Sequence, residues 1–267
     1  MTQKIAFFDI DGTLINVPTQ MMEPNKKTVE TLKAFQKAGN KIFIASARGS
    51  LPFKNTLISF DGFIGNDGHY IIYNNEIILD DLFHEDELKT LQETFKLYDG
   101  RYIFSGHKNS WSTYWEDPYM LEHSRMFNHS TAKPDYLIEQ FEIKDIKAIA
   151  CCVLFKNTDD LWSTYEALKD HFTMSVYDTG LIRMDIYRKG FTKGTAVRHM
   201  IEKLGFNLED SYAFGDGEND MQMLQLVGHG VAMGNAVPQL KKVAKEFTDS
   251  VLEEGIANYF TKNGLCL

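Results

Sequence analysis

The sequence has few cysteines and contains no hydrophobic run long enough to cross a membrane. A spanning helix needs about 20 consecutive apolar residues, and no such stretch occurs in the chain. The first residues run directly into a strand-like segment and lack the apolar stretch of a secretory signal. The three cysteines, Cys151, Cys152 and Cys266, match neither a disulfide framework nor a zinc-site spacing. These absences favour a cytoplasmic protein whose thiols are buried or idle.

Positive charge is also scarce. The chain has 28 Lys and Arg residues against 37 Asp and Glu residues, which gives a formal net charge of -9. An acidic protein lacks the positive field that attracts nucleic acid or anionic membranes, so neither is expected as a partner. The same charge repels an anionic substrate. Any phosphate site must therefore be made positive locally, by a metal ion, a lysine or backbone amides.

Both ends of the 267-residue chain show the alternation of strands and helices that is typical of an α/β fold with a Rossmann-like parallel sheet. Short apolar runs predict buried strands, and apolar residues at helical spacing followed by glycine predict helices and their ends. The predicted strands are Ile5–Phe8, Lys41–Ala45, Ser211–Phe214 and Gly230–Met233. The predicted helices are Asn25–Ala38, one that carries Val197, Ile201 and Leu204 and ends at Gly205, and Asn219–Val227.

The middle of the chain has a different pattern. Two amphipathic helices are predicted there, one carrying Leu88 to Tyr98 and the other carrying Leu161 to Phe172. Strand-like runs lie among them, at residues 102–104, 148–155, 173–176 and 181–187. This predicts an inserted α+β domain over residues 82–187, within a sheet domain formed by residues 1–81 and 188–267.

Two carboxylates follow the first buried strand, in the segment Asp9-Ile10-Asp11-Gly12-Thr13. Alternation along a strand points Asp9 and Asp11 to the same side, at the carboxyl end where open α/β sheets bind ligands. Neighbouring carboxylates repel each other unless a cation lies between them, so the pair suggests magnesium. An acidic turn at a strand end is the alternative, because Asp and Gly are common turn residues.

A second acidic pair, Asp216 and Asp220, follows a later strand in the segment 215–220. Asp220 has a simple alternative role, because acidic residues are favoured in the first turn of a helix. Asp216 precedes the helix and needs another reason.

Two weaker signals lie between these pairs. Ser46, Ala47 and Arg48 follow the second strand, where a hydroxyl and successive amides can form an anion nest. Lys193 opens a helix, where a lysine opposes the helix dipole. A counter-charge would explain this lysine, and a solvated surface position is the alternative.

Taken in order, these segments resemble the four motifs of the haloacid dehalogenase (HAD) superfamily: Asp-x-Asp-Gly-Thr, Ser or Thr, Lys, and Gly-Asp-x-x-x-Asp. The first and last motifs match fully, and residues 230–236 resemble the family's glycine-rich loop. The position and α+β character of the insertion resemble the class IIB cap of the Cof-like subfamily. Two segments depart from the usual pattern, since Ser46-Ala47-Arg48 replaces Thr-Gly-Arg and Asn66-Asp67-Gly68 replaces Asn-Gly-Ala. The second departure brings an extra carboxylate close to the expected site.

The resemblance implies a role for each matching residue. Asp9 would attack phosphorus and form an aspartyl-phosphate, and Asp11 would act as general acid and then general base. Magnesium would be bound by Asp9, Asp216 and Asp11, the last through its backbone carbonyl, with Asp220 in support. The expected phosphate- and substrate-binding residues are Ile10, Ser46, Ala47, Arg48, Asn66, Lys193 and Asn219.

The expected activity is hydrolysis of a small phosphorylated metabolite, with sugar phosphates as the leading class. A phosphotransferase or mutase with the same chemistry is the first alternative, and a non-catalytic phosphometabolite sensor is the second. A dehydrogenase is not supported, because no Gly-x-Gly-x-x-Gly follows the first strand. The aromatic segment 111–119 suits a sugar-like ligand, but a core cluster or an exposed loop explains it equally well.

Overall fold

The protein is described by a computed structural model that covers residues 2–51, 58–128 and 130–265. The chain divides into two compact units. The first unit combines Met1–Leu79 with Phe191–Leu267, and the second is Asp80–Gly190. Cys151 is buried and Cys152 half-buried, both as free thiols, whereas Cys266 lies outside the described residues. No helix in the described part of the chain combines the length and the apolar character needed to cross a membrane.

The strands, in chain order, are β1 Ile5–Phe8, β2 Lys41–Ala45, β3 Gly62–Gly65, β4 Tyr70–Tyr73, β5 Glu76–Asp80, β6 Arg101–Ser105, β7 Ser110–Trp111, β8 Leu137–Ile138, β9 Ala150–Leu154, β10 Phe172–Tyr177, β11 Arg183–Arg188, β12 Ser211–Gly215, β13 His229–Ala232 and β14 Glu246–Phe247. The α-helices are α1 Lys26–Lys37, α2 Glu85–Leu97, α3 Pro118–Asn128, α4 Thr158–Leu168, α5 Lys193–Leu204, α6 Met221–Leu226, α7 Pro238–Val243 and α8 Gly255–Lys262.

The first unit is built on a sheet with the strand order β14-β13-β12-β1-β2-β3-β4-β5. Strand β1 lies in its centre and pairs in parallel with both β12 and β2. The parallel arrangement continues to β14 on one side and to β3 on the other, and β4 then pairs antiparallel with β3. This confirms the predicted α/β class and adds three strands, β3, β4 and β5, that the sequence pattern did not indicate.

Helices cover both faces of this sheet, as buried parallel strands require. Phe7 belongs to a core cluster with residues of α5, α6 and α7. Phe8 faces the other way, where it stacks on Phe214 at 5.0 Å between ring centroids and contacts Phe260 of α8. Phe35 of α1 completes that side with an edge-on contact to Phe260. Packing of helices on both faces fixes the positions of the strand ends that carry the acidic segments.

The second unit has a mostly antiparallel sheet with the order β10-β11-β9-β6-β7-β8. One core cluster packs α2 and α4 against this sheet. The predicted helix around Leu161 is present but ends at Leu168, and Phe172 begins strand β10 instead of extending the helix. Helix α3 was not predicted. Trp111 and Trp115 of the aromatic segment are buried, 4% and 6% exposed, which favours the core-cluster interpretation for these two side chains.

Candidate active site

The predicted acidic and hydroxyl residues lie at one edge of the first unit's sheet. Asp9 follows β1, Ser46 follows β2 and Asp216 follows β12. These three strands are adjacent and parallel, so their carboxyl ends meet at the same edge. The order of these strands in the sheet therefore brings the first, second and fourth motifs together.

Lys193 reaches this edge from α5 and is almost fully buried, with 1% of its surface exposed. Its Nζ donates to Asp9 Oδ1 at 2.6 Å and to Asp220 Oδ1 at 2.7 Å. The helix begins at Lys193 because Thr192 caps it, accepting a hydrogen bond from the Thr195 amide at 3.2 Å. The alternative of a solvated surface lysine is wrong, since two carboxylates supply the counter-charge that the helix start lacks.

Asp220 holds the fourth motif in shape. It is 0% exposed, and its Oδ2 accepts hydrogen bonds from the backbone amides of Asp216 and Gly217 at 2.9 and 3.0 Å. With Oδ1 bound to Lys193, both oxygens of this carboxylate have partners. The residue therefore joins the turn after β12 to the lysine on α5, which is more than the helix-start role considered from sequence.

Gly12 allows the first and fourth motifs to approach each other. Its φ is +84°, and a Cβ at this position would lie 2.0 Å from Asp216 Oδ2. Asn235, in the loop after β13, spans the same contact by donating to the Gly12 carbonyl at 2.8 Å and to Asp216 Oδ2 at 3.3 Å. Asn235 was not among the site residues predicted from the sequence. Its place in the segment that resembles the glycine-rich loop was the available signal.

The donor set fits a hard divalent cation such as magnesium. Asp9, Asp216 and Asp220 each offer a carboxylate oxygen, and these oxygens lie within 4.8 Å of one another. Oxygen donors are the ligands that Mg²⁺ prefers. When all three carboxyls are ionised, Lys193 balances one of the three negative charges and a divalent cation would balance the other two. Asp9 Oδ2 and Asp216 Oδ1 accept no hydrogen bond from the described residues, whereas both Asp220 oxygens are engaged.

The protonation behaviour of the group reflects the same crowding. Burial raises the pKa of Asp9, an effect that Lys193 opposes and Asp220 reinforces. Burial, together with the nearby charge of Asp220, raises the pKa of Asp216 to about 7. Burial by itself would lower the pKa of Lys193, but the carboxylates of Asp220 and Asp9 outweigh it and hold that pKa above its usual value. The ammonium therefore stays charged at neutral pH.

The Asp11 carboxylate does not join the three converging aspartates. Arg48 donates to it from Nε and from a terminal nitrogen, each at 2.7 Å. This fork also raises the pKa of Arg48, chiefly through the hydrogen bond to Asp11. The structure thus places Asp11 and Arg48 together as a pair that the sequence did not predict, and it leaves only the backbone of Asp11 for the predicted metal contact.

The other predicted binding residues lie in the turns around this edge. Ile10 is buried, and its carbonyl accepts the Leu14 amide at 2.9 Å within the turn after β1. Ser46 Oγ accepts the Arg48 amide at 3.1 Å, and Ala47 between them is exposed.

Two asparagines, Asn66 and Asn219, complete the set of predicted binding residues. Asn66, at the end of β3, donates its backbone amide to the Arg48 carbonyl at 3.1 Å. Asn219 is exposed and donates from Nδ2 to Asp67 Oδ1 at 2.9 Å. The extra carboxylate noted in the sequence therefore contacts a predicted phosphate-binding residue.

Comparison with known proteins agrees with this arrangement. The family of haloacid dehalogenase-like hydrolases matches residues 6–260. YkrA of Bacillus subtilis (strain 168), whose name provisionally calls it a phosphatase, is 32% identical over 267 residues that cover 99% of each chain. The HMP-PP phosphatase of Escherichia coli O6:H1 is 28% identical over 253 residues, covering 89% of this chain and 86% of the relative.

A solved structure supports the same assignment. The subclass IIB sugar phosphatase BT4131 superposes with a TM-score of 0.76 at 25% identity, covering 98% of this chain and all of that one. This agrees with the class IIB resemblance inferred from the placement of the insertion. The chain belongs to the haloacid dehalogenase-like hydrolases and falls among the phosphatases of that family.

Proposed function

We propose that the protein is a magnesium-dependent phosphatase that hydrolyses small phosphorylated metabolites, sugar phosphates first among them, through an aspartyl-phosphate on Asp9. The observation that carries the proposal is the buried contact of Lys193 with Asp9 and Asp220, beside Asp216. A purely structural acidic turn would not need a buried ammonium between two of its carboxylates.

Asp9 would act as the nucleophile. Its Oδ1 is held by Lys193, while Oδ2 accepts no hydrogen bond from the described residues. The fixed carboxylate can attack phosphorus, and the covalent intermediate divides hydrolysis into two easier steps. Lys193, charged and fixed, would stabilise the negative charge on the phosphoryl oxygens.

Asp11 is the candidate for proton transfer. It would protonate the leaving oxygen in the first step and take a proton from the attacking water in the second. Its fork with Arg48 holds the carboxylate in one orientation, and Arg48 also offers positive charge to a phosphate. Because the fork engages both oxygens of Asp11, Arg48 would have to release at least one of them before that oxygen carries a proton.

Asp9 and Asp216 are the proposed magnesium ligands. Asp220 would hold them in position through its hydrogen bonds with Lys193 and the turn amides. When bound, the cation would neutralise charge on the phosphoryl group and so lower the barrier to attack. Ser46, the Ala47 amide, Asn66 and Asn219 remain the proposed contacts to the other phosphate oxygens. Support for sugar phosphates comes from the likeness to BT4131, and the likeness to an HMP-PP phosphatase adds that compound as a second candidate.

The test is phosphate release from p-nitrophenyl phosphate, a panel of sugar phosphates and HMP-PP, with magnesium or with EDTA. The unaltered protein is compared with Asp9→Asn and with the control Asp210→Asn, which removes the same charge from the same unit. We expect magnesium-dependent release that Asp9→Asn abolishes and Asp210→Asn retains.

Other outcomes separate the alternatives. Conversion of a sugar phosphate to its isomer without net phosphate release would favour the mutase, and release only after a sugar acceptor is added would favour a transferase. Binding of phosphate esters without any turnover would favour the sensor. Equal turnover by the unaltered protein and Asp9→Asn would exclude the aspartyl-phosphate mechanism.

A further inference from the structure

The turn Asn66-Asp67-Gly68 after β3 joins three of the motif segments. Asn66 and Asp67 both have left-handed backbone angles, with φ of 49° and 52°. The Asp67 amide donates to the Ser46 carbonyl at 3.0 Å, and the Asn66 amide donates to the Arg48 carbonyl at 3.1 Å. The turn is therefore fixed to the backbone of the proposed hydroxyl loop.

Gly68 attaches the same turn to the helix that carries the buried lysine. Its φ is +104°, and a Cβ there would lie 2.3 Å from the carbonyl oxygen of Thr192. Only glycine allows this close approach to the first turn of α5. Asp67 consequently lies between two fixed neighbours, which set the position of its backbone.

The Asp67 carboxylate acts on two site residues. Its Oδ1 accepts a hydrogen bond from Asn219 Nδ2 at 2.9 Å. An amide side chain has N–H donors at one end and a carbonyl at the other, so a carboxylate beside Asn219 selects the orientation with the N–H end toward Asp67. Asp67 also contributes, after Asp220 and Asp9, to holding the pKa of Lys193 above its usual value against the effect of burial. Its field therefore extends to the ammonium.

We propose that Asp67 is a positioning residue that orients the Asn219 amide for the phosphoryl group and, through its negative charge, weakens the binding of released phosphate. This rests on the proposed phosphatase function, which it deepens. The two effects have different origins, because the hydrogen bond needs only an acceptor whereas the repulsion of a phosphate dianion needs the charge.

Two substitutions separate the effects. Asp67→Asn keeps an acceptor oxygen for Asn219 and removes the charge, whereas Asp67→Gly removes both. Asparagine and glycine both tolerate a left-handed backbone, so neither change disturbs the turn. Glu30→Gln, an exposed carboxylate on α1, is the control for loss of one negative charge elsewhere in the same unit.

The experiment measures kcat, KM and the inhibition constant of inorganic phosphate with p-nitrophenyl phosphate in magnesium. We expect the phosphate inhibition constant to fall about threefold to tenfold in both Asp67 variants, the range that one nearby charge produces at a partly exposed site. We expect kcat to stay close to the unaltered value in Asp67→Asn and to fall in Asp67→Gly. In an Asn219→Ala background, the kcat difference between the two Asp67 variants should disappear.

Contrary results are distinct for each part. An inhibition constant that does not change in either variant, or that falls equally in Glu30→Gln, would overturn the charge effect. Equal kcat values in Asp67→Asn and Asp67→Gly would overturn the positioning effect.

A second measurement separates this proposal from the proposed function. Calorimetric titration with inorganic phosphate needs no turnover. If the unaltered protein releases no phosphate from any ester but Asp67→Asn still binds phosphate more tightly, the phosphatase proposal fails and the charge effect stands. If neither the unaltered protein nor Asp67→Asn binds phosphate, the charge effect fails as well.

Discussion

Replacement of Lys193 by methionine should destabilise the protein strongly, because it removes a buried charge and leaves its two partners in place. Asp9 and Asp220 are 6% and 0% exposed, and each accepts a hydrogen bond from the lysine at 2.6 to 2.7 Å. Breaking a buried ion pair by removal of one partner costs about 3–5 kcal/mol, since the remaining charge is uncompensated. At about 2–4 °C per kcal/mol for a chain of this size, the expected fall in Tm is about 6–20 °C.

The pH dependence of this loss follows from the raised pKa of Asp9. A carboxyl whose pKa is higher in the folded than in the unfolded state contributes stability at low pH and loses it as pH rises through the folded value. Removal of the lysine takes away the charge that lowers the pKa of Asp9, so that pKa rises further. The loss of stability in Lys193→Met relative to the unaltered protein should therefore be smaller at about pH 5 than at about pH 9.

The assay is thermal denaturation in EDTA over that pH range, followed by the same series in magnesium. Lys203→Met, which changes an exposed lysine of the same helix, is the control and should remain within about 0.5 kcal/mol of the unaltered protein. Magnesium should reduce the difference in Tm between Lys193→Met and the unaltered protein, because the cation replaces part of the missing positive charge. A Lys193→Met protein that melts with the unaltered protein at every pH would show that Lys193 does not compensate the buried carboxylates.

Three further predictions concern other residues. Asp11→Asn should lower kcat/KM for a sugar phosphate by about 10²–10⁴, the range typical of general acid–base catalysis. The loss for p-nitrophenyl phosphate should be smaller, because its leaving group needs little protonation. Steady-state measurement of kcat/KM for both esters checks this. Magnesium at about 100 times its Kd should stabilise the protein by about 2.7 kcal/mol, which thermal denaturation would detect and Asp216→Asn should largely remove. Burial and the charge of Arg183 lower the pKa of His123 to about 4. This histidine should therefore reduce the free energy of unfolding by at most about 3 kcal/mol as pH falls from about 6.5 to 4. In denaturant titrations, His123→Gln should weaken that pH dependence.

Each of these predictions has a contrary result. Equal losses on both esters would exclude Asp11 as the acid for the leaving group. An unchanged magnesium effect in Asp216→Asn would remove that residue from the proposed ligands. An acid-side stability profile in His123→Gln that parallels that of the unaltered protein would mean that His123 does not titrate as its burial requires.

The fold could be predicted where burial on both faces makes the strands apolar throughout. Strands β1 and β2 have the predicted bounds, and β12 is one residue longer. Strands β3, β4 and β5 were missed. Strand β3 is buried but has only Phe63 and Ile64 between two glycines, and β5 lies at the edge of the sheet, where Ile77 is 53% exposed. Helix α3 was missed since it begins at Pro118 inside an aromatic segment whose composition also suits a loop. Local patterns therefore identify strands that are apolar throughout better than strands that contain glycine or lie at an edge.

The residues gathered at the site could be predicted from motif order, but their pairing could not. The resemblance to the family's motifs selected these residues, and the ends of adjacent parallel strands lie at the same edge of the sheet. The ion pair of Asp11 with Arg48 joins side chains 37 residues apart in the sequence, and the hydrogen bond between Asp67 and Asn219 joins side chains 152 residues apart. Such contacts depend on rotamers and on the height of each turn above the sheet, which periodicity does not encode.

The most direct test of the central claim is to trap the phosphoryl group on Asp9. The protein is mixed with a radiolabelled phosphate ester and magnesium, quenched rapidly in acid, digested, and its labelled peptide identified. We predict label in the peptide that contains Asp9, its loss on longer incubation as the intermediate hydrolyses, and no label in Asp9→Asn. Phosphate release by the unaltered protein without any labelled peptide, or with label on another residue, would contradict the account.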